Sequence, residues 1–338
     1  MGLLLQIFGV IFLLILIFIV VAVLTIRSKL RSFVKEFEGL AKTMAVVPSR
    51  IHLEKNAEAY WEKPEATVPL IEPLMSLGFE KVGNFQIEEL DGLHLEAWIN
   101  PSKSVSSVVY QHPKAGTFID FWTHFEDGTR ITFANTAAGA GVEHEPGHDS
   151  RRFPDLGTRA LYEKFLAERP QKPARPVSAE TFVEVYERVY AEAQDWRNAR
   201  GGVSKAELRA IGESAGGSYD EDVIEATHEF TERHAMEQLD ESIRERFLEE
   251  TKMSAVDWER VRDRVIVIHD KMTEEIYEEV IGPWVDEDVF EQFDNEEGVP
   301  PRALFARMNR ELSDASKFKH LGKVSSPVEA DIYAAPEY

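Results

Sequence analysis

The sequence predicts an α+β protein in three parts: an N-terminal transmembrane helix, a five-stranded antiparallel meander flanked by helices, and an acidic helical bundle. Three observations predict it. An apolar run fills residues 3–26, the hydrophobic period changes to two between Phe79 and Thr136, and helical spacing with a large acidic excess follows Pro170. The 338 residues carry 60 Asp and Glu against 38 Lys and Arg, a formal net charge of −22, with 43% hydrophobic residues and no Cys. Such a chain can bury substantial cores, and without Cys it holds no disulfide scaffold, Cys-ligated metal or thiol nucleophile. The acidic balance argues against nucleic acid as a partner, because neutralising phosphates requires a basic surface.

The first part is read as an anchor over residues 1–27. From Leu3 to Ile26 only Gln6, Gly9 and Thr25 interrupt the apolar run, which is long enough to cross a bilayer and lacks the basic start and small-residue site of a cleaved signal. No Lys or Arg precedes the run, whereas Arg27, Lys29, Arg31 and Lys35 follow it. That bias places the body on the cytoplasmic side of the inner membrane, single-pass, with Arg27, Lys29 and Arg31 at the lipid surface and Gln6 inside it, free to bond another membrane subunit. Residues 28–65 are expected to form a juxtamembrane amphipathic helix, on Leu30, Phe33, Val34, Phe37, Leu40 and Met44, followed by a linker.

Residues 66–170 form the predicted α+β domain. Five strands are expected near 79–88, 93–100, 105–112, 117–126 and 129–136, joined by turns that include Asp91-Gly92 and Asp127-Gly128. Asp-Gly supplies the positive φ angles of tight hairpin turns, so the strands should run antiparallel. Alternation assigns Phe85, Ile87, Leu93, Leu95, Ala97, Ile99, Ile119, Phe121, Phe125, Ile131 and Phe133 to one core face. His94, Glu96, Trp98, Tyr110, His112, Asp120, Trp122 and His124 would share the other, mixing aromatic walls with titratable groups. Such a face either binds a ligand, with Trp98, Tyr110, His112, Asp120, Trp122 and His124 as its candidates, or lies under helices. Helical patterns flank the strands at Thr67 to Leu77 and Thr158 to Arg169.

Pro170, Pro173 and Pro176 mark a linker over 171–177, in which each P-x-x-P pair formally matches an SH3 ligand. The acidic bundle is expected over 178–284. Its first helix stops at Gly201-Gly202, Ser204-x-x-Glu207 is a capping box that opens the second, and two long helices follow from Asp220 and Ser254. The last carries Val261, Val265, Ile268, Met272, Ile276 and Val280 at near-heptad spacing. Residues 177–300 hold 34 acidic and 13 basic side chains, so nearly all the excess negative charge sits there, fit for repulsion from lipid or for steering a basic partner. The tail, 285–338, has one short helix from Pro301 to Leu312 and no periodicity from Ala315 onward.

His144-Glu145-Pro146-Gly147-His148 matches the H-E-x-x-H pattern of zinc metallopeptidases. That chemistry needs a helix to set both imidazoles on one face, and Pro146 and Gly147 oppose one. A non-helical loop could still bring His144, Glu145 and His148, or Glu143 or Asp149, to a metal. Glu225-x-x-His228 is half of a di-iron signature without its second copy, and His269 follows an apolar run as a buried histidine would. No Gly-rich phosphate loop, dinucleotide fingerprint or nucleophile elbow is present, so the sequence nominates no cofactor and no catalytic residue. On these readings the chain is a membrane-anchored cytoplasmic protein-binding module, an accessory or scaffold subunit of a membrane protein complex. The alternative is a small-ligand-binding protein or metal-dependent hydrolase using the second sheet face or the His144–His148 loop.

Overall fold

A computed structural model describes residues 47–337 apart from 59–60, 113–115, 138–140, 215–218, 252 and 295–297. Among the described residues no helix is long and apolar enough to cross a membrane. The segment expected to span the bilayer, with Gln6, Arg27, Lys29 and Arg31, lies outside the described residues, as does the juxtamembrane helix. The anchored three-part architecture gives way to a mixed α+β fold built on two sheets.

The larger sheet has seven strands, two more than the meander predicted: β1 (Leu53–Asn56), β2 (Glu80–Ile87), β3 (His94–Asn100), β4 (Val105–His112), β5 (Gly116–His124), β6 (Arg130–Ala134) and β7 (His148–Arg152), hydrogen-bonded in that order. Every pair is antiparallel except β6 with β7, which run parallel. The β5–β6 turn forms as Asp127-Gly128 predicts: Gly128 has φ +84°, and the Phe125 and Thr129 backbones close the hairpin. β7 carries the polar run His148-Asp149-Ser150-Arg151-Arg152, which has no apolar alternation to reveal it.

The register sorts the faces differently from simple parity. Leu95 lies opposite Tyr110, which lies opposite Phe118, and Asp120 lies opposite Val108 and Ala134. Odd residues of β3 therefore share a face with even residues of β4, β5 and β6. One face gathers Phe85, Leu95, Ala97, Ile99, Val108, Tyr110 and Trp122 beneath helix α3 (Phe182–Ala199), whose Phe182 is fully buried among them. The other gathers Trp98, Val109, Ile119, Phe121, Ile131 and Phe133 under helices α1 (Pro64–Ser76) and α2 (Thr158–Glu168). Leu74, Leu161 and Phe165 seal that core, each fully buried ring or branched chain adding about 1.5–3 kcal/mol.

The predicted bundle is also revised. Helix α4 (Lys205–Ser214) opens on the expected capping box, with Ser204 N donating to Glu207 Oε2 at 2.8 Å and Glu207 N to Ser204 Oγ at 3.2 Å. Helix α5 (Glu221–Thr251) packs on α3 and α4 through its first half, where Gly202 (φ +80°) lets the preceding loop approach Thr231. The following segment is not one long helix. After α6 (Ala255–Val261), the run Val265-Ile266-Val267-Ile268 forms β8 (Val265–His269), because four consecutive β-branched residues suit a strand buried on both faces. β8 pairs with β10 (Ala330–Ala334), which pairs with β9 (Lys319–Val324), so tail residues that show no sequence periodicity supply two of three strands in a second sheet. Leu239, Ile243 and Phe247 of α5 cover one face of this sheet. Helices α7 (Glu274–Ile281), α8 (Glu287–Asp294) and α9 (Pro301–Glu311) cover the other, around Phe305 and Met308.

Candidate functional site

The α3-covered face is apolar over β1–β4 and polar over β5–β7. By register, His124 faces Arg130, which faces His148; Trp122 faces Thr132, which faces Ser150; and Asp120 faces Ala134, which faces Arg152. Three rows thus carry histidine, arginine, hydroxyl and carboxyl groups toward α3. The resulting cleft of about 310 Å³ is lined by His124, Arg130, Glu145, His148, Arg175 and, from α3, Arg188 and Glu192 among others.

Each wall has a local cause. The proline linker lies extended along β5, Ala174 bridging Phe125 and Arg175 N donating to the His124 carbonyl at 2.8 Å, which brings the Arg175 side chain to the cleft. The H-E-x-x-H stretch is a loop entering β7 and not a helix. His148 N donates to the Glu145 carbonyl at 3.1 Å across a turn in which Gly147 takes φ +90°, a conformation glycine adopts without strain. That turn folds the His144 and His148 rings to 4.7 Å apart. Glu143 is drawn away to Arg200 and Glu207, and Asp149 points to the opposite face, where it pairs with Arg151. Glu145 is the carboxylate that stays with the histidines, 3.5 Å from His148 Nδ1 and ion-paired with Arg130.

Burial and the arginines set the charge states. Burial first, then the charge of Arg130 at His124 and His148 and that of His148 and Arg152 at His144, lowers His124 and His144 to about 4 and His148 to about 3, so all three imidazoles are neutral at pH 7. Burial lowers Arg130 to about 10, which leaves it cationic. Deeper along β5, Asp120 accepts from Tyr110 Oη at 3.0 Å and from Val108 N at 3.1 Å, and Tyr110 Oη lies 3.0 Å from Tyr186 Oη. Burial pushes the Asp120 carboxyl up to about 7 against those bonds and the nearby Arg152. Arg130 Nε, His148 Nδ1 and Ser150 Oγ are buried with no hydrogen-bond partner among the described residues. Buried polar groups are normally satisfied, so such atoms mark where a ligand, ion or water belongs.

The sequence-predicted candidates divide between the two faces. Tyr110, Asp120, Trp122 and His124 share the α3 face with His148; Trp122 packs 5.1 Å from His124 and 6.1 Å from Phe182. His112 ends β4 opposite Gly116 on the same face, away from the cleft lining. Trp98 is on the opposite face, its Nε1 donating to Glu96 Oε1 at 2.9 Å. The arginines, Thr132 and Ser150 were not singled out by sequence: Arg130 and Thr132 take the polar positions of alternating β6, and β7 and the linker show no apolar pattern. The other motifs are engaged elsewhere: His228 meets the Val203 carbonyl, Glu225 pairs with Lys205, and buried His269 is satisfied by Asp240 and Lys271 N. Set against known proteins, the chain matches no family model, no curated protein and no solved structure.

Proposed function

We propose that the protein binds a small acidic ligand, one bearing carboxylate or phosphate groups, in the cleft between β5–β7 and α3. The supporting observation is an inversion of charge: a chain of net charge −22 lines this cleft with Arg130, Arg175 and Arg188 against two glutamates. Neutral imidazoles and a buried guanidinium with an unused Nε–H offer donors without the self-repulsion of further cations. Half of the α3 face is filled by packing, so the polar half is the part left to receive a ligand.

Titration calorimetry with inorganic phosphate, pyrophosphate and citrate tests the reading on the full chain. Saturable binding of at least one is expected, with Arg188→Ala and Arg175→Ala each weakening it about 10–100-fold, the loss of one charge-assisted bond. No saturable binding of any of the three at millimolar concentration, or binding indifferent to both substitutions, would remove the proposal.

A second reading, a basic protein partner, draws on the groove of about 940 Å³ between α5 and α7, where Glu225, Glu229, Glu232, Glu274, Glu275 and Glu278 gather. Association with a lysine-rich peptide that disappears in 0.5 M salt, at a Debye length of about 4 Å, is its expected signature. Association unchanged by salt would refute it.

A further inference from the structure

We propose that His144, Glu145 and His148 form a binding site for a single divalent transition-metal ion of the zinc class, open on the side that faces the cleft. One donor atom from each residue lies within 4.8 Å of the other two. Tetrahedral coordination at about 2.0–2.1 Å requires donors about 3.4 Å apart. The Glu145–His148 pair already stands at 3.5 Å, and the His144 donor lies within 4.8 Å of both.

The state of His148 carries the inference. Its Nε2 lies 3.0 Å from Thr132 Oγ1, and its Nδ1 is buried, has no hydrogen-bond partner and looks toward a carboxylate oxygen. When Nε2–H donates to Thr132, the Nδ1 lone pair meets no donor and faces Glu145 Oε1, the oxygen that also takes the Arg130 guanidinium. A cation shared by both resolves that arrangement. The surroundings match what metal ligands need in support: the Thr132 hydroxyl holds the ring of one histidine, and Arg130 holds the carboxylate. The pair also offsets the two charges, so an ion bound here leaves net positive charge for an anion entering the cleft.

The other cluster of comparable spacing, His52 with Glu88 and Glu89, provides a contrast. It is exposed, and His52 Nδ1 already bonds Glu89 Oε1 at 2.5 Å, so its imidazole–carboxylate pair is already closed. The metallopeptidase pattern is not revived, because the stretch is not helical and Glu145 is a ligand tied to Arg130 and not a free base.

The inference stands apart from the acidic-ligand reading, and its test uses metal alone in a buffer free of oxyanions. Untagged full-length protein, stripped with chelator, is titrated with Zn²⁺ by calorimetry and with Co²⁺ by visible absorption. One equivalent is expected to bind, with Co²⁺ giving the intense visible bands of a low-coordinate site. Each of His144→Ala and His148→Ala should weaken binding by about 100-fold or more, and Thr132→Val by about 10–100-fold, while His52→Ala leaves it unchanged. The variant His144→Ala, at a half-buried loop position outside the strands, keeps the test meaningful should His148→Ala disturb folding. Absence of saturable binding, binding unaffected by His144→Ala, or binding lost only in His52→Ala would overturn the proposal.

Discussion

Phe182→Ala probes the contact that makes the cleft. Phe182 opens α3, is 0% exposed, and packs its ring 6.3 Å from Phe85, 6.1 Å from Trp122 and 5.7 Å from Tyr186. Truncation removes the ring from a closed site whose walls belong to a sheet that cannot collapse inward, so transfer and cavity terms add, giving a loss of about 3–5 kcal/mol. Up to about 0.5–1.5 kcal/mol of this per ring pair is the aromatic geometry itself. Urea unfolding followed by Trp fluorescence, with Trp122 against the mutated site, reads the loss as a lower midpoint at unchanged slope. Because α3 also carries Arg188 and Glu192, phosphate binding should weaken together with stability. Val256→Ala, at a position 71% exposed, serves as the control and should change stability by less than about 0.5 kcal/mol. A loss below about 1 kcal/mol for Phe182→Ala, with native circular dichroism, would mean that α3 is not seated on the sheet as described.

Three more outcomes follow from particular residues. Burial raises the folded-state pKa of Asp120 to about 7, so between the unfolded value near 3.9 and about 7 the folded state holds the extra proton and stability falls as pH rises. Asp120→Asn should flatten that decline, and unfolding curves at pH 5 and pH 8 whose difference matches the parent's would exclude Asp120 as its source. A Cβ at Gly202, where φ is +80°, would stand 2.9 Å from the Thr231 carbonyl oxygen, so Gly202→Ala should lower stability by about 1–3 kcal/mol in urea titrations; an unchanged midpoint would show that this approach is not needed. Truncation after Ser313 removes β9 and the central β10, leaving Val265, Val267 and Phe305 uncovered. Loss of the second sheet's amide-exchange protection is expected, and retained protection in β8 would refute the assigned strand order.

Much of the larger sheet was legible in the sequence because β2–β6 alternate and two Asp-Gly pairs mark their connections. β7 was not, since a strand of charged residues at a sheet edge has no apolar signal, and its parallel pairing owes nothing to a hairpin turn. The long helix expected from Ser254 failed for a specific reason: Val261, Val265, Ile268 and Met272 fit a helical stripe only if Ile266 and Val267 are ignored, and those two decide for a strand. β10 depends on pairing with β8, more than sixty residues distant, and β9 on pairing with β10, and no local pattern announces the first of these. The site was half legible. His124, Asp120, His144 and His148 stood out by residue type, but their meeting with Arg130, Arg152 and Arg175 requires the register, and the register also takes Trp98 to the opposite face.

The most direct test of the cleft is imidazole-detected NMR on the full chain, which carries 10 histidines on strands of both sheets, on α5 and in loops. On addition of pyrophosphate, the resonances of His124, His144 and His148 should move together and saturate, while those of His52, His228, His269 and His320 stay in place. Shifts confined to the second group, or equal small shifts at every histidine, would place binding elsewhere and leave the β5–β7 cleft without a ligand.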